Sequence, residues 1–147
     1  MTTNANQATE VARIRAVIED WSEGLRRKDA GRVVGHHGTG FVMYSLAPPL
    51  VSDAAGTAGL NAWFATWRGG LEIEHRDLQV VVGGDVAFAH CLTRLAGTKT
   101  DGQRNEVWFR HSFGLRKEGE AWRIVHVHES VPFRMDGSYL AEVDLVP

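Results

Sequence analysis

Cysteine is almost missing from this chain. A single thiol, Cys91, among 147 residues rules out an internal disulfide and a cysteine-based zinc cluster, and it fits a reducing compartment. Neither sign of charge dominates: 16 basic and 18 acidic side chains leave a formal net charge of -2. They are interspersed, so there is no electrostatic footprint for nucleic acid or an anionic membrane surface. No apolar run approaches the length needed to cross a bilayer, and the opening MTTNANQATE is polar and has no hydrophobic signal region. The expected location is the cytoplasm, without nucleic-acid or membrane partners. Repeats and low-complexity segments are missing too.

A hydrophobic content of 44% is ample for the core of one globular domain spanning residues 1–147. Residues 1–8 are expected to be disordered and 134–147 to form a C-terminal tail. Val11, Ile14, Val17, Ile18, Trp21 and Leu25 recur at helical spacing behind Thr9 as N-cap. A second, short helix is expected from Asp29. Phe41 to Leu46 reads as a strand stopped by Pro48-Pro49, and Gly56 to Trp67 as a third helix closed by Gly69-Gly70. The pattern then changes to period two. Strands are expected over 71–82, 86–98, 106–116 and 121–133, with turns at Gly83-Gly84-Asp85, at the Asp101-Gly102 step and at 117–120.

Helices first, then strands joined by tight turns, imply an α+β fold. A curved antiparallel or mixed sheet is expected to wrap the N-terminal helices into a cone with an internal apolar pocket.

The longest feature is the hairpin Asn105 to Phe133, NEVWFRHSFGLRKEGEAWRIVHVHESVPF. Alternation places Arg123, Val125, Val127 and Glu129 on one face, and the facing strand is expected to add Trp108, Arg110 and Ser112 to it. Trp122, Ile124, His126 and His128 with Phe109, His111 and Phe113 fall on the other.

The element order resembles the nuclear-transport-factor-2-like superfamily, which includes ketosteroid isomerase and SnoaL-like polyketide cyclases. The residues that carry the resemblance are Leu46 to Leu50, Gly84 to Phe88, Trp108 to Lys117 and Trp122 to Phe133. The resemblance implies that Val125, Val127 and Glu129 turn toward the pocket, joined by Ser112, and by parity by Arg110, Trp108, Ala89, Cys91 and Thr93. It also implies that the isomerase chemistry is not carried over. The family's catalytic tyrosine falls on Trp21, its general-base aspartate on Ser45 and its oxyanion-stabilising aspartic acid on Ser112, and neither serine is a base without an activating neighbour.

The candidate catalytic residues are therefore Glu129 as general base and Arg110 as anchor for a substrate carboxylate, enolate or carbonyl, against the alternative of a structural ion pair. Trp21, Tyr44, Ser45, Trp63, Trp67, Trp108, Ser112 and Val127 are the candidate binding residues. His90, His111, His126 and His128 share the outer face, where four imidazoles raise a metal reading. The preferred reading is a homodimer interface with Phe109 and Phe113, and no metal or cofactor is expected. The function expected is binding, and cofactor-free acid–base conversion of an isomerase, cyclase, lyase or hydrolase kind, of a small, largely apolar molecule. The alternative is a non-catalytic binding or oligomerisation domain.

Overall fold

A computed structural model describes residues 2–52 and 56–147. Three helices, α1 (Thr2–Arg26), α2 (Ala30–Val34) and α3 (Ala58–Phe64), accompany five strands, β1 (His37–Tyr44), β2 (Trp67–Gly83), β3 (Val86–Lys99), β4 (Arg104–Glu118) and β5 (Ala121–Ser130). The strands form one sheet in the order β1-β5-β4-β3-β2. All neighbours are antiparallel except β1 and β5, which run parallel. The expected α+β class and mixed sheet are found, and the sheet does not close on itself.

Helix α1 lies across the concave face and buries Ile14, Ile18, Trp21 and Leu25 against Phe113, Leu115, Trp122, Ile124 and Val127. Removing this much apolar surface from water, at roughly 25 cal/mol per Å², is the main attraction between the layers. Polar ties set the helix in register with the sheet's far edge. Arg15 donates to Leu78 O at 2.7 Å and Arg26 Nε to Ile73 O at 3.0 Å, on either side of a bulge where Asp77 adopts a φ of 57°. The helix starts at Thr2 rather than behind Thr9, whose hydroxyl bonds back to Ala5 O at 3.0 Å within the helix. The disorder expected for residues 2–8 is thus replaced by helix, and Met1 lies outside the described residues.

Asp29 caps α2 as expected, accepting from Arg32 N at 3.0 Å. Gly69-Gly70 does not close α3 but lies inside β2.

The hairpin's register departs from expectation, and the departure decides which face lines the cavity. Glu118 pairs with Ala121 around a two-residue turn in which Gly119 has a φ of 63°, so Lys117 and Glu118 belong to the ladder rather than to the loop. A bulge at Val125 then shifts the pairing from Leu115↔Ile124 to Gly114↔His126. The shorter turn preserves parity, but the bulge reverses it, because one extra residue sends all later side chains to the opposite face. Trp122 and Ile124 point inward before the bulge, Val127 and Glu129 after it. Their partners Leu115, Phe113 and His111 follow, with Phe109 one step further.

Trp108, Arg110 and Ser112 therefore occupy the outer face, contrary to expectation. His111, Phe109 and Phe113 move from the expected outer patch into the interior.

Candidate functional site

Between α1, α3, β1 and the concave side of the sheet lies a cavity of about 520 Å³. Trp21 and Leu25 from α1, Leu60 and Trp63 from α3, Met43, Ile73, Leu95 and Phe109 from the strands give it apolar walls. The loop after β1 contributes Ser45, Leu46, Ala47 and Pro48. A few polar groups converge on this apolar surface, as is usual for small-molecule sites.

Glu129 is the acid among them. Its side chain is 14% exposed and stands directly across the β4–β5 ladder from His111, with Oε1 3.7 Å from Nε2. Leu46 N donates to the other carboxyl oxygen at 3.4 Å. Burial pushes the carboxyl up to about 7, against a weaker opposing pull from that amide. No cationic side chain compensates: among the described residues, no lysine or arginine lines the cavity.

His111 is 2% exposed and burial holds it well below the ordinary histidine range. Its Nδ1 is 3.0 Å from Thr93 Oγ1, which is 2.8 Å from His75 Nδ1, and His75 Nε2 is 2.7 Å from Ser22 Oγ. A polar thread thus crosses the core from α1 through β2 and β3 to the cavity wall. Its far end, His111 Nε2, is buried and lacks a hydrogen-bond partner.

Burial also lowers His75 and raises the Cys91 thiol. His75, Cys91 and His111 offer ligand atoms within 4.8 Å of one another, the donor types a transition metal would select. Each is also engaged in the thread, Cys91 Sγ lying 3.4 Å from Thr93 Oγ1 and 3.6 Å from His75 Nδ1.

On another wall, Trp21 Nε1 donates to His37 Nε2 at 3.1 Å, and the His37 ring stacks on Phe41 with centroids 3.6 Å apart. Burial and neighbouring His36 push His37 down to about 4. His36 is held by Asp20 at 2.6 Å. Asp20 itself is drawn down to about 2, first by Arg32 and then by His36. This cluster fixes the corner from which β1 leaves.

Of the residues assigned to the pocket from the sequence, Glu129, Trp21, Ser45, Trp63 and Thr93 line the cavity. Trp67 is buried at 6% exposure beside Trp63 but does not reach the space, and Val127 is fully buried behind it. Tyr44 is 39% exposed and packs edge-on against His126 and His128 on the outside. Arg110 lies outside and donates to Ser130 Oγ at 3.1 Å, so it cannot anchor anything beside Glu129. Trp108 is also outside, under the Arg76 guanidinium at 5.0 Å. Of the expected outer histidines, His90, His126 and His128 remain there, with His90 and His128 both exposed.

His75, Ser22 and His37 were not assigned to the site from sequence. The signal for His75 was available: Leu71, Ile73 and His75 share one parity in β2, and His75 pairs with inward Thr93.

A family model described as the SnoaL-like domain matches residues 14–134. A comparison with curated proteins found no match. Among solved structures, an NTF2-like protein of unknown function from Pseudomonas putida is 28% identical, with a TM-score of 0.81 and 97% of each chain covered. An NTF2-like superfamily protein from Salmonella enterica is 18% identical, with a TM-score of 0.75 over 89% of this chain and 96% of that one. The association domain of CaMKII from C. elegans is 17% identical, with a TM-score of 0.67 over 86% of this chain and 99% of that one. The last two likenesses concern the fold alone.

Proposed function

This chain belongs to the family of SnoaL-like domains, and on that footing we propose that it takes up a small, largely apolar, uncharged molecule and converts it by cofactor-free acid–base chemistry. The observation that carries the reading is the Glu129 carboxyl, buried on the wall of an apolar cavity and facing His111 across 3.7 Å. A group that exchanges protons near neutral pH is the most effective general acid or base there, because both its forms are populated. The value of about 7 suits Glu129 to that role.

With no cation on the described walls, a substrate carboxylate would lack a counter-ion. A ligand with one carbonyl or hydroxyl group fits better. In the simplest reaction, the Glu129 carboxylate takes a proton from a carbon beside a carbonyl. The C–H electrons move into an enolate. Where a carbon–carbon double bond adjoins that carbon, the conjugated dienolate takes the proton back from the carboxyl at the far end of the double bond, which is an isomerisation. Trp21 and Trp63 would hold the apolar body of the ligand, and Ser45, whose own proton goes to Ala47 O at 2.9 Å, would accept from a ligand hydroxyl at the cavity edge. The cytoplasmic setting inferred from the single thiol belongs to this proposal.

The test is deuterium exchange at carbons next to the carbonyl in a panel of small cyclic ketones, followed by NMR in heavy water. The wild type is expected to accelerate exchange in at least one member, and Glu129→Gln to lower that rate by about 10²–10⁴-fold. Binding of the panel with equal exchange in both proteins would replace catalysis by a binding role.

A second reading, assembly with another copy, draws on the outer face. Phe88 and Val81 are directly paired and 54% and 48% exposed, and Val86 beside them is 57% exposed. Paired copies would cover this apolar group, and the likeness to an association domain agrees with it. Light scattering is expected to give a dimer in the wild type and a monomer in Phe88→Asp. A monomeric wild type would refute this reading.

A further inference from the structure

We propose that His111 is a second proton-transfer group of the cavity, and that the chain Ser22–His75–Thr93 locks its ring in the Nδ1–H tautomer, leaving a bare Nε2 toward Glu129 and the ligand. The catalytic half of this rests on the acid–base reading above, and the tautomer does not.

The direction of the chain follows from counting protons. Ser22 has one hydroxyl proton and gives it to Ile18 O at 2.8 Å. At 2.7 Å from His75 Nε2, Ser22 Oγ is then an acceptor, so the proton there sits on the ring. Burial keeps His75 neutral, which leaves its Nδ1 without a proton and in need of a donor. Thr93 Oγ1, 2.8 Å away, gives its only proton to that nitrogen. The Cys91 thiol is farther from that nitrogen, at 3.6 Å, than from Thr93 Oγ1, at 3.4 Å, so the nitrogen's single lone pair is assigned to the nearer threonine hydroxyl.

Thr93 Oγ1 can then only accept from His111 Nδ1 at 3.0 Å. A neutral ring with its proton on Nδ1 has a lone pair on Nε2. This also accounts for the one ring nitrogen of the thread that lacks a partner: it is an acceptor directed at Glu129, whose protonated carboxyl would be its donor.

Such a pair divides the work. Protonated Glu129 gives its proton to a ligand carbonyl oxygen while Nε2 takes one from the adjacent carbon, so a ketone becomes an enol. A carboxylate is left opposite an imidazolium, and the proton recrosses the gap to restore both groups. His75 and Ser22 stand behind the cavity wall, and Thr93, which lines it, acts in this scheme through His111. They are positioning residues.

The tautomer is read directly from nitrogen-15 chemical shifts of histidine-labelled protein. The wild type is expected to show a protonated Nδ1 and a bare Nε2 for His111, assigned with a His111→Gln variant. Thr93→Ser keeps the hydroxyl and is expected to preserve both. Thr93→Val removes it and is expected to move the proton to Nε2, where Glu129 can accept it. A wild-type ring protonated on Nε2 would overturn the lock without recourse to any variant, and so would an unchanged Nδ1–H in folded Thr93→Val.

For a ketone that the wild type exchanges, Thr93→Val is expected to lose about 10²-fold in rate and Thr93→Ser to retain it, since a wrong tautomer disables an imidazole base. A shifted tautomer with an unchanged rate would remove His111 from the chemistry. If no ketone exchanges while the shifts come out as stated, the acid–base reading fails and the lock stands.

Discussion

Glu129 and His111 are direct cross-strand partners, and their side chains meet at 3.7 Å on the cavity wall. That adjacency depends on the bulge at Val125, which turns the second half of β5 over relative to the first. With an unbulged strand, the inward Trp122 and Ile124 would have sent Glu129 to the outer face. The core and the site are built from the two sides of the same irregularity.

The carboxyl's position makes stability depend on pH in an unusual sense. A native-state value of about 7 against an ordinary 4.5 means that between these limits the folded protein holds a proton that the unfolded chain has released. Stability from this group therefore falls as pH rises through the window and is flat above it. The buried, lowered His75 and His111 act oppositely, adding stability as pH rises toward their unfolded value of 6.5. A difference measurement isolates the acid. Denaturant unfolding is expected to show Glu129→Gln gaining on the wild type from pH 4.5 to 7.5, by at most about 3 kcal/mol. A constant difference would mean the carboxyl ionises as an ordinary one.

Arg110 gives a contrasting expectation. Because it lies on the outer face with an exposed bond to Ser130, Arg110→Leu is expected to change stability by less than about 0.5 kcal/mol and to leave ligand affinity unaltered. Calorimetric binding with any ligand of the cavity checks this. A large loss of affinity would return Arg110 to the site.

Gly97 tests the packing at the wide end. A Cβ placed there would meet the Trp67 ring at 2.8 Å and Leu71 at 3.3 Å, and Trp67 is confined by Trp63 and by Lys99, 3.6 Å above its ring. Overpacking of this kind costs about 1–3 kcal/mol. Gly97→Ala is expected to lower the unfolding midpoint accordingly, and an unchanged midpoint would show that the indole has room to move.

Much of the fold was legible because its signals are local. Helical spacing marks the buried stripe of α1, Asp29 caps α2, and glycine at positive φ marks the turn at Gly84. Family resemblance turns Val127 and Glu129 inward, as the structure has them, but also Val125, which is the bulge residue, and Ser112, which faces out. The facing strand was misplaced because a bulge has no period of its own: nothing in Ile124-Val125-His126 distinguishes an extra residue from a paired one, and parity carried across it assigns Trp108, Arg110 and Ser112 to the wrong side. His111 was then read with an outer patch of imidazoles that it does not join. His75 was hidden for a different reason, standing between Glu74 and Arg76 in a strand whose polar residues suggest solvent. Its parity with Leu71 and Ile73 and its pairing with Thr93 reveal it.

The most direct measurement is the titration of the Glu129 carboxyl by carbon-13 NMR on glutamate-labelled protein, with Glu129→Gln to assign the resonance. The account predicts a midpoint of about 7. A midpoint near the ordinary 4.5 would contradict it, because a carboxyl already ionised at that pH is hydrated or paired, not a buried group holding its proton against His111.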